Sequence, residues 1–182
     1  MQKEIVIAGF GGQGILFAGQ LLAYAGMEQG KAVTWFPSYG PEMRGGTANC
    51  TTIIADEEIG AATVKHPTAV IVMNSPSFDK YIKDIKPGGI VVVNSSLIDK
   101  KVERQDITAV YVPGNEIAEK LGEMKMANLA LLGGLLANLE LLPIESLEKA
   151  LKDHLPSRHQ RLLGMNIHAL QEGMKYKKLD LN

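Results

Sequence analysis

Apolar positions follow two rhythms along this chain. Ile5, Val6, Ile7 and Ala8 form a continuous, mostly β-branched run that stops at Gly9, Gly11, Gly12 and Gly14. Beyond it Ile15, Ala18, Leu21, Leu22 and Ala25 recur at helical spacing, predicting a helix over 15–29. Strand, glycine turn and helix thus come in the order of a βαβ unit. Residues 32–36 predict a second strand, pairing with the first. Residues 47–54 predict a third, with 55–58 as a turn and Ile59 beginning a return strand. Such a hairpin would make an otherwise parallel sheet mixed. Residues 69–73 and 90–93 are apolar without interruption, the pattern of strands covered on both faces, and 107–112 add another before Pro113-Gly114. Phe78, Tyr81, Ile82 and Ile85 mark a helix between them, with Ser75 as N-cap and Pro76 at the first helical position.

The final third is helical. Residues 115–121 predict a short helix and 124–139 a long one that is apolar nearly all round. Met126, Leu129, Ala130, Leu132, Gly133, Leu136 and Ala137 cannot all face one sheet. Either this helix is central or one side meets a partner chain, which would give self-association in isolation. Gly133-Gly134 in its middle lowers helix propensity, so close packing across that face is expected. Pro143 restarts the chain ahead of an amphipathic helix of Ile144, Leu147, Ala150 and Leu151. A last helix is predicted from Pro156 to about Lys175, with Leu162, Leu163, Ile167 and Leu170 on its apolar side and Arg158, His159, Arg161 and His168 around them. The alternation of strands and helices predicts one α/β domain over 1–182: a mixed, mostly parallel sheet with helices on both faces, Rossmann-like and three-layered, and a helical C-terminal cap.

Composition narrows the chemistry. Hydrophobic content of 46% and charged content of 21% are those of a soluble globular domain. A formal net charge of −1 gives no bulk attraction to nucleic acid or to a membrane surface. The apolar stretch 126–139 is shorter than the ~20 residues of a membrane span, and the start of the chain has no secretory pattern, so a cytoplasmic protein is expected. Cys50 is the single cysteine, which rules out an iron–sulfur cluster or a cysteine-rich zinc site on this chain and reads as a small apolar strand residue. His154, His159 and His168 lack the i, i+4 spacing of a helical metal pair.

Gly9, Gly11 and Gly14 match the dinucleotide pattern G-x-G-x-x-G. That pattern also asks for an acidic residue at the end of the second strand, to hold a ribose hydroxyl. Val33-Thr34-Trp35-Phe36-Pro37 has none. A stand-alone nucleotide-binding module therefore remains the alternative class. The next stretch, Pro37-Ser38-Tyr39-Gly40-Pro41-Glu42-Met43-Arg44-Gly45-Gly46, is a loop that places a hydroxyl, a phenol, a carboxylate and a guanidinium at the carboxyl end of the sheet, beside the glycine turn.

Gly-Phe-Gly-Gly-Gln-Gly at 9–14 followed by Ser-Tyr-Gly-Pro-Glu-Met-Arg-Gly-Gly at 38–46 resembles the gamma subunit of 2-oxoacid:ferredoxin oxidoreductases. The resemblance spans essentially the whole chain, including 128–133 and 166–173, and the second motif is the more specific. The run 39–50 is closer to chains acting on 2-oxoglutarate or branched 2-oxoacids than to the small subunit of indolepyruvate:ferredoxin oxidoreductase, a second relative of the same architecture.

The resemblance implies a non-catalytic subunit of an enzyme that oxidatively decarboxylates a 2-oxoacid to acyl-coenzyme A, with ferredoxin as acceptor. It implies thiamine diphosphate between alpha and beta subunits and four-iron–four-sulfur clusters on a ferredoxin-like delta subunit, with no cofactor held by this chain alone. The chain would pack on the thiamine-binding subunits and help form the coenzyme A approach. Candidate ligand-binding residues are Gly9, Gly11, Gly12, Gln13 and Gly14 in the turn, and Ser38, Tyr39, Glu42, Arg44, Gly45 and Gly46 in the loop. The turn offers N–H groups to an anion and Arg44 offers charge to a phosphate or a partner carboxylate. Glu42 would hold Arg44 or another basic group in place, and Ser38 and Tyr39 either brace the loop or touch the ligand.

Overall fold

The computed structural model describes residues 1–39, 47–61 and 63–178. A six-stranded sheet runs in the order β2-β3-β1-β4-β5-β6. Its strands are β1 (Gln2–Phe10), β2 (Ala32–Tyr39), β3 (Thr47–Ala55), β4 (Ala69–Val72), β5 (Ile90–Asn94) and β6 (Thr108–Val112). Around it lie α1 (Ile15–Glu28), α2 (Ser75–Tyr81), α3 (Gly114–Lys120), α4 (Ala127–Asn138), α5 (Ile144–His154) and α6 (Leu163–Gly173). β1, β4, β5 and β6 are parallel, whereas β3 is antiparallel to both β1 and β2. The sheet is mixed and mostly parallel, as expected.

Two pairings differ from the expectation. β2 does not lie against β1, because β3 comes between them. The hairpin is also formed before β3 rather than after it. β2 and β3 pair from Ala32↔Ala55 to Tyr39↔Ala48, while Ile59 starts no strand. A hairpin joins strands close in sequence at little entropic cost. Its second strand then presents Cys50, Thr52 and Ile54 on the face that carries Ile5 and Ile7 of β1. Side-chain matching fixes the register, since a one-residue slip would turn that face outward.

The two faces of the sheet are unequal. Ile5, Ile7, Ile71, Val92 and Val110 point into a thick core shared with α1, α4, α5 and α6. Val6, Ala8, Val70, Val72, Val91 and Val93 point into a thinner one closed by Phe78 of α2 with Ile85 and Ile98. β4 and β5 are buried along their whole length, which their unbroken apolar sequence requires. The cap of α2 is one residue earlier than expected. Asn74 is the N-cap, accepting from the Ser77 N–H at 2.8 Å, so Ser75 opens the helix and Pro76 follows.

Of the two alternatives for the apolar helix, the central one holds. Leu129, Ala130, Leu131, Leu132 and Leu135 of α4 are all 0% exposed, enclosed by the sheet and the neighbouring helices. Its first turn is a 3-10 segment, Met124–Met126. The apolar residues of its middle are thus used within the chain, and Met124 at its start is exposed. The close packing predicted at its glycines is against α6: a methyl group at Gly133 would meet the Leu170 carbonyl, and one at Gly173 the Ala130 carbonyl. The last helix is likewise split, a 3-10 segment Ser157–Leu162 preceding α6. Among the described residues no helix is long and apolar enough to cross a membrane.

Candidate functional site

The carboxyl ends of β1 and β4 form the centre of the site, where the sheet changes direction of winding. β1 ends at Phe10, and the chain turns through Gly12 at φ 96° and Gly14 at φ 73° into α1. Both positions favour glycine, because side chains crowd the backbone at such φ. Gln13 braces the turn. Its Oε1 accepts from the Phe10 N–H at 2.6 Å, and its Nε2 donates to the Met73 carbonyl at 3.3 Å. The side chain therefore ties the end of β1 to the end of β4. Gly9 leaves room for it, since a methyl group there would meet Gln13 Oε1 and lie 2.9 Å from Met73 Cβ. A second brace comes from α4, where Asn128 Nδ2 donates to the Gly14 carbonyl at 2.8 Å.

Gln13→Ala removes both hydrogen bonds and leaves the Phe10 N–H without its acceptor. A loss of about 1–3 kcal/mol in urea-unfolding free energy is expected. An unchanged midpoint would show that the brace contributes nothing to stability.

Among the described residues, no side chain caps the amino end of α1. Its N-cap Gly14 supplies no side-chain cap and the first turn carries no acidic residue. The first N–H groups of a helix lack intrahelical partners and carry partial positive charge, which suits an anion. Over this end lies a cleft of about 300 Å³. Gly12, Gly14 and Phe17 form one wall, Met126 and Asn128 the second, and Leu155, Pro156, Leu162 and Asn166 the third. Lys125, Arg158 and His159 complete its lining, and among the described residues no carboxylate shares it. Arg158 Nε donates to His159 Nε2 at 3.2 Å, so that ring nitrogen acts as acceptor. An apolar floor, open backbone donors and a cationic rim fit a ligand with a phosphate and a flat or apolar body.

Cys50 is no part of this site. It is 0% exposed on β3 with Sγ 3.4 Å from the Ile15 carbonyl, and burial pushes its thiol up to about 12. It serves as the small apolar strand residue expected.

A family model described as pyruvate ferredoxin/flavodoxin oxidoreductase matches residues 4–176. The chain belongs to this family. Among its oxidoreductase relatives, the 2-oxoglutarate synthase subunit KorC of Methanocaldococcus jannaschii is 36% identical over 183 residues, covering 98% of this chain and 95% of the relative. The solved gamma subunit of a keto/oxoacid ferredoxin oxidoreductase from Geobacter sulfurreducens superposes with a TM-score of 0.83 at 29% identity, covering 97% of this chain and 96% of that one. The 2-oxoglutarate:ferredoxin oxidoreductase of Magnetococcus marinus, solved with 2-oxoglutarate, coenzyme A and succinyl-CoA bound, shares the fold with a TM-score of 0.85 at 21% identity. This chain covers 96% of its own length in that match but 30% of the other. It likewise spans 37% of the length of the ketoisovalerate oxidoreductase subunits it matches.

In this oxidoreductase-family chain the predicted residues divide by role. Gly12 and Gly14 line the cleft, with Gly11 beside them in the turn. Gly9 and Gln13 hold the turn from below. Ser38 pairs with Asn49, which pairs with Ala8, placing Ser38 on the α2 side of the sheet and away from the cleft. Glu42, Arg44, Gly45 and Gly46 lie outside the described residues, as does the Tyr39 side chain. The flanks of their segment are fixed, because Tyr39 pairs with Ala48 and Thr47 with Phe10. Both flanks thus reach the sheet edge that carries the glycine turn.

Sequence reasoning missed the cationic rim. Lys125 and the pair Arg158-His159 come from two 3-10 segments remote in sequence from the turn. One signal was available: Asn128, a polar residue inside an unbroken apolar run, is 3% exposed and is the residue that reaches back to Gly14. The dinucleotide alternative loses its geometry as well as its acid, since β3 separates β2 from the glycine turn.

Proposed function

We propose that this chain is the gamma subunit of a cytoplasmic 2-oxoacid:ferredoxin oxidoreductase, and that it contributes the anion-binding part of the coenzyme A approach. The observation that carries this reading is the cleft over the glycine turn, with open N–H groups on one side and Lys125, Arg158 and His159 on the other. Coenzyme A joins phosphates to a flat base and an apolar arm, which is the chemistry that such a cleft selects. Arg44, on a segment whose flanks reach the same sheet edge, would add a further cation, and Glu42 would hold it in place. The likeness of this chain to a subunit named for 2-oxoglutarate synthase favours 2-oxoglutarate or a branched 2-oxoacid as substrate.

In this reading decarboxylation occurs on thiamine diphosphate held by alpha and beta subunits, and electrons leave through iron–sulfur clusters of a ferredoxin-like delta subunit to ferredoxin. This chain holds neither group. It positions the acceptor thiol, and no residue of it is catalytic.

Reconstitution of the complex with and without this chain tests the assignment. The complete complex is expected to reduce a viologen dye only when both a 2-oxoacid and coenzyme A are supplied, and omission of this chain is expected to abolish the coenzyme A-dependent rate. A rate that is unaffected by the omission, or tight NAD(H) binding by the chain alone, would overturn it.

A further inference from the structure

The edge of the sheet farthest from the β2–β3 hairpin is β6. Thr108 N donates to the Gly89 carbonyl at 2.8 Å, and the Val112 carbonyl accepts from Ser95 N at 3.0 Å. Alternate residues of a parallel strand address alternate neighbours. Thr108, Val110 and Val112 therefore turn their backbone groups to β5, and Ala109 and Tyr111 turn theirs outward.

The outward groups face a groove of about 570 Å³ between strand residues 107–111 and the segment 175–178 that follows α6. That segment is pinned. Asn138 Nδ2 donates to the Tyr176 carbonyl at 2.8 Å, and Asn138 Oδ1 accepts from Lys178 N at 2.6 Å. The groove thus has two fixed walls, one a strand edge and the other a short basic stretch. Lys175, Lys177 and Lys178 are exposed along it, and among the described residues no carboxylate lines it. Lys175 pairs with Glu172, and among the described residues Lys177 and Lys178 are the groove cations without such a pair.

We propose that this groove docks an extended acidic segment of a partner chain, which adds as a seventh strand beside β6 and sets its carboxylates against Lys177 and Lys178. An open edge supplies main-chain affinity, and charge supplies the choice of partner. A second copy of this chain is disfavoured there, because edge-to-edge pairing would bring one lysine wall against another. The inference stands apart from the coenzyme A reading, since it uses the lateral β6 edge rather than the carboxyl ends of the central strands, and none of the cleft residues.

The test is amide hydrogen exchange of the full chain with a soluble peptide of alternating threonine and glutamate, using an alternating threonine–lysine peptide as control. The acidic peptide is expected to slow exchange at Ala109 and Tyr111 by about tenfold or more, with the effect weakening as salt is raised. K177E/K178E is expected to abolish the protection. Ala109→Pro, which deletes an outward donor and none of the bonds to β5, is expected to abolish it at Tyr111. No slowing, equal slowing by the lysine peptide, or undiminished binding by K177E/K178E would overturn the proposal. If the wild type binds no peptide while K177E/K178E dimerises, the lysines only guard the edge against self-pairing, and the proposal fails.

Discussion

Gly133→Ala is expected to lower stability by about 3 kcal/mol, although alanine in an ordinary helix interior is worth up to about 1 kcal/mol more than glycine. The sign follows from what surrounds the position. A methyl group there would meet the Leu170 carbonyl and lie 3.0 Å from both Leu170 C and Met174 N, all backbone atoms of α6 and its end. Backbone cannot rotate away as a side-chain tip can, so α4 and α6 must separate along their length. Separation opens space beside Leu129, Leu132 and Leu170, each 0% exposed. For a chain of this size the melting temperature should fall by roughly 6–12 °C. Gly173→Ala is expected to act in the same direction through Ala130, whose carbonyl carbon would be 2.6 Å away. Gly164→Ala is the control, as nothing lies within 4 Å of a methyl group there, and its melting temperature should stay level or rise slightly. A rise for Gly133→Ala would refute the tight α4–α6 seam.

The second large effect concerns the cleft. Lys125→Ala with Arg158→Ala is expected to raise the coenzyme A KM of the assembled complex by roughly 10–100-fold, the range of one or two charge-assisted hydrogen bonds. The 2-oxoacid KM and the saturated rate should change little, because the two cations touch a remote part of the acceptor rather than the reacting atoms. Both side chains are exposed, so folding should be unaffected. An unchanged coenzyme A KM would remove the cleft from the proposed role while leaving the family membership intact. A fall in rate with unchanged KM would point to a subunit contact in its place.

What the sequence disclosed, and what it did not, follows from the range of each interaction. β1, its glycine turn and α1 were legible because one continuous stretch carries their periodicity and turn chemistry. The unbroken runs of β4 and β5 disclosed burial on both faces for the same reason. Strand neighbours were another matter. Val33 and Trp35 read equally well beside Ile5 or beside Ile54, and only the register of β3 with both strands decides between them. The burial of α4 was visible as a pair of alternatives, but its resolution needed α6 to be placed. The cap at Asn74 was missed by one residue because Ser75-Pro76 is also a good start, and only the bond from the Ser77 N–H distinguishes them. In the site, the sequence marks Gln13 as a candidate ligand contact, whereas its place as a brace depends on Met73, at the end of a different strand. Lys125, Arg158 and His159 carry no local mark of function. They come together only when two irregular segments are folded over the glycine turn.

The wrapping of α4 also bears on how the chain reaches this state during synthesis. β1 is made before its partners β3 and β4, so one side of it stays unpaired until about residue 55 has left the ribosome and the other until about residue 72. Even then the thick core lacks its centre. α4 is made later still, and the seam that covers it closes only when Leu170 and Gly173 arrive near the end of the described chain. At the usual elongation rate of about 5–20 residues per second, the nascent sheet therefore exposes one apolar face for several seconds. A stalled or shortened product that stops before α6 should hence be a client for holding chaperones, and native structure should appear late and all at once rather than strand by strand.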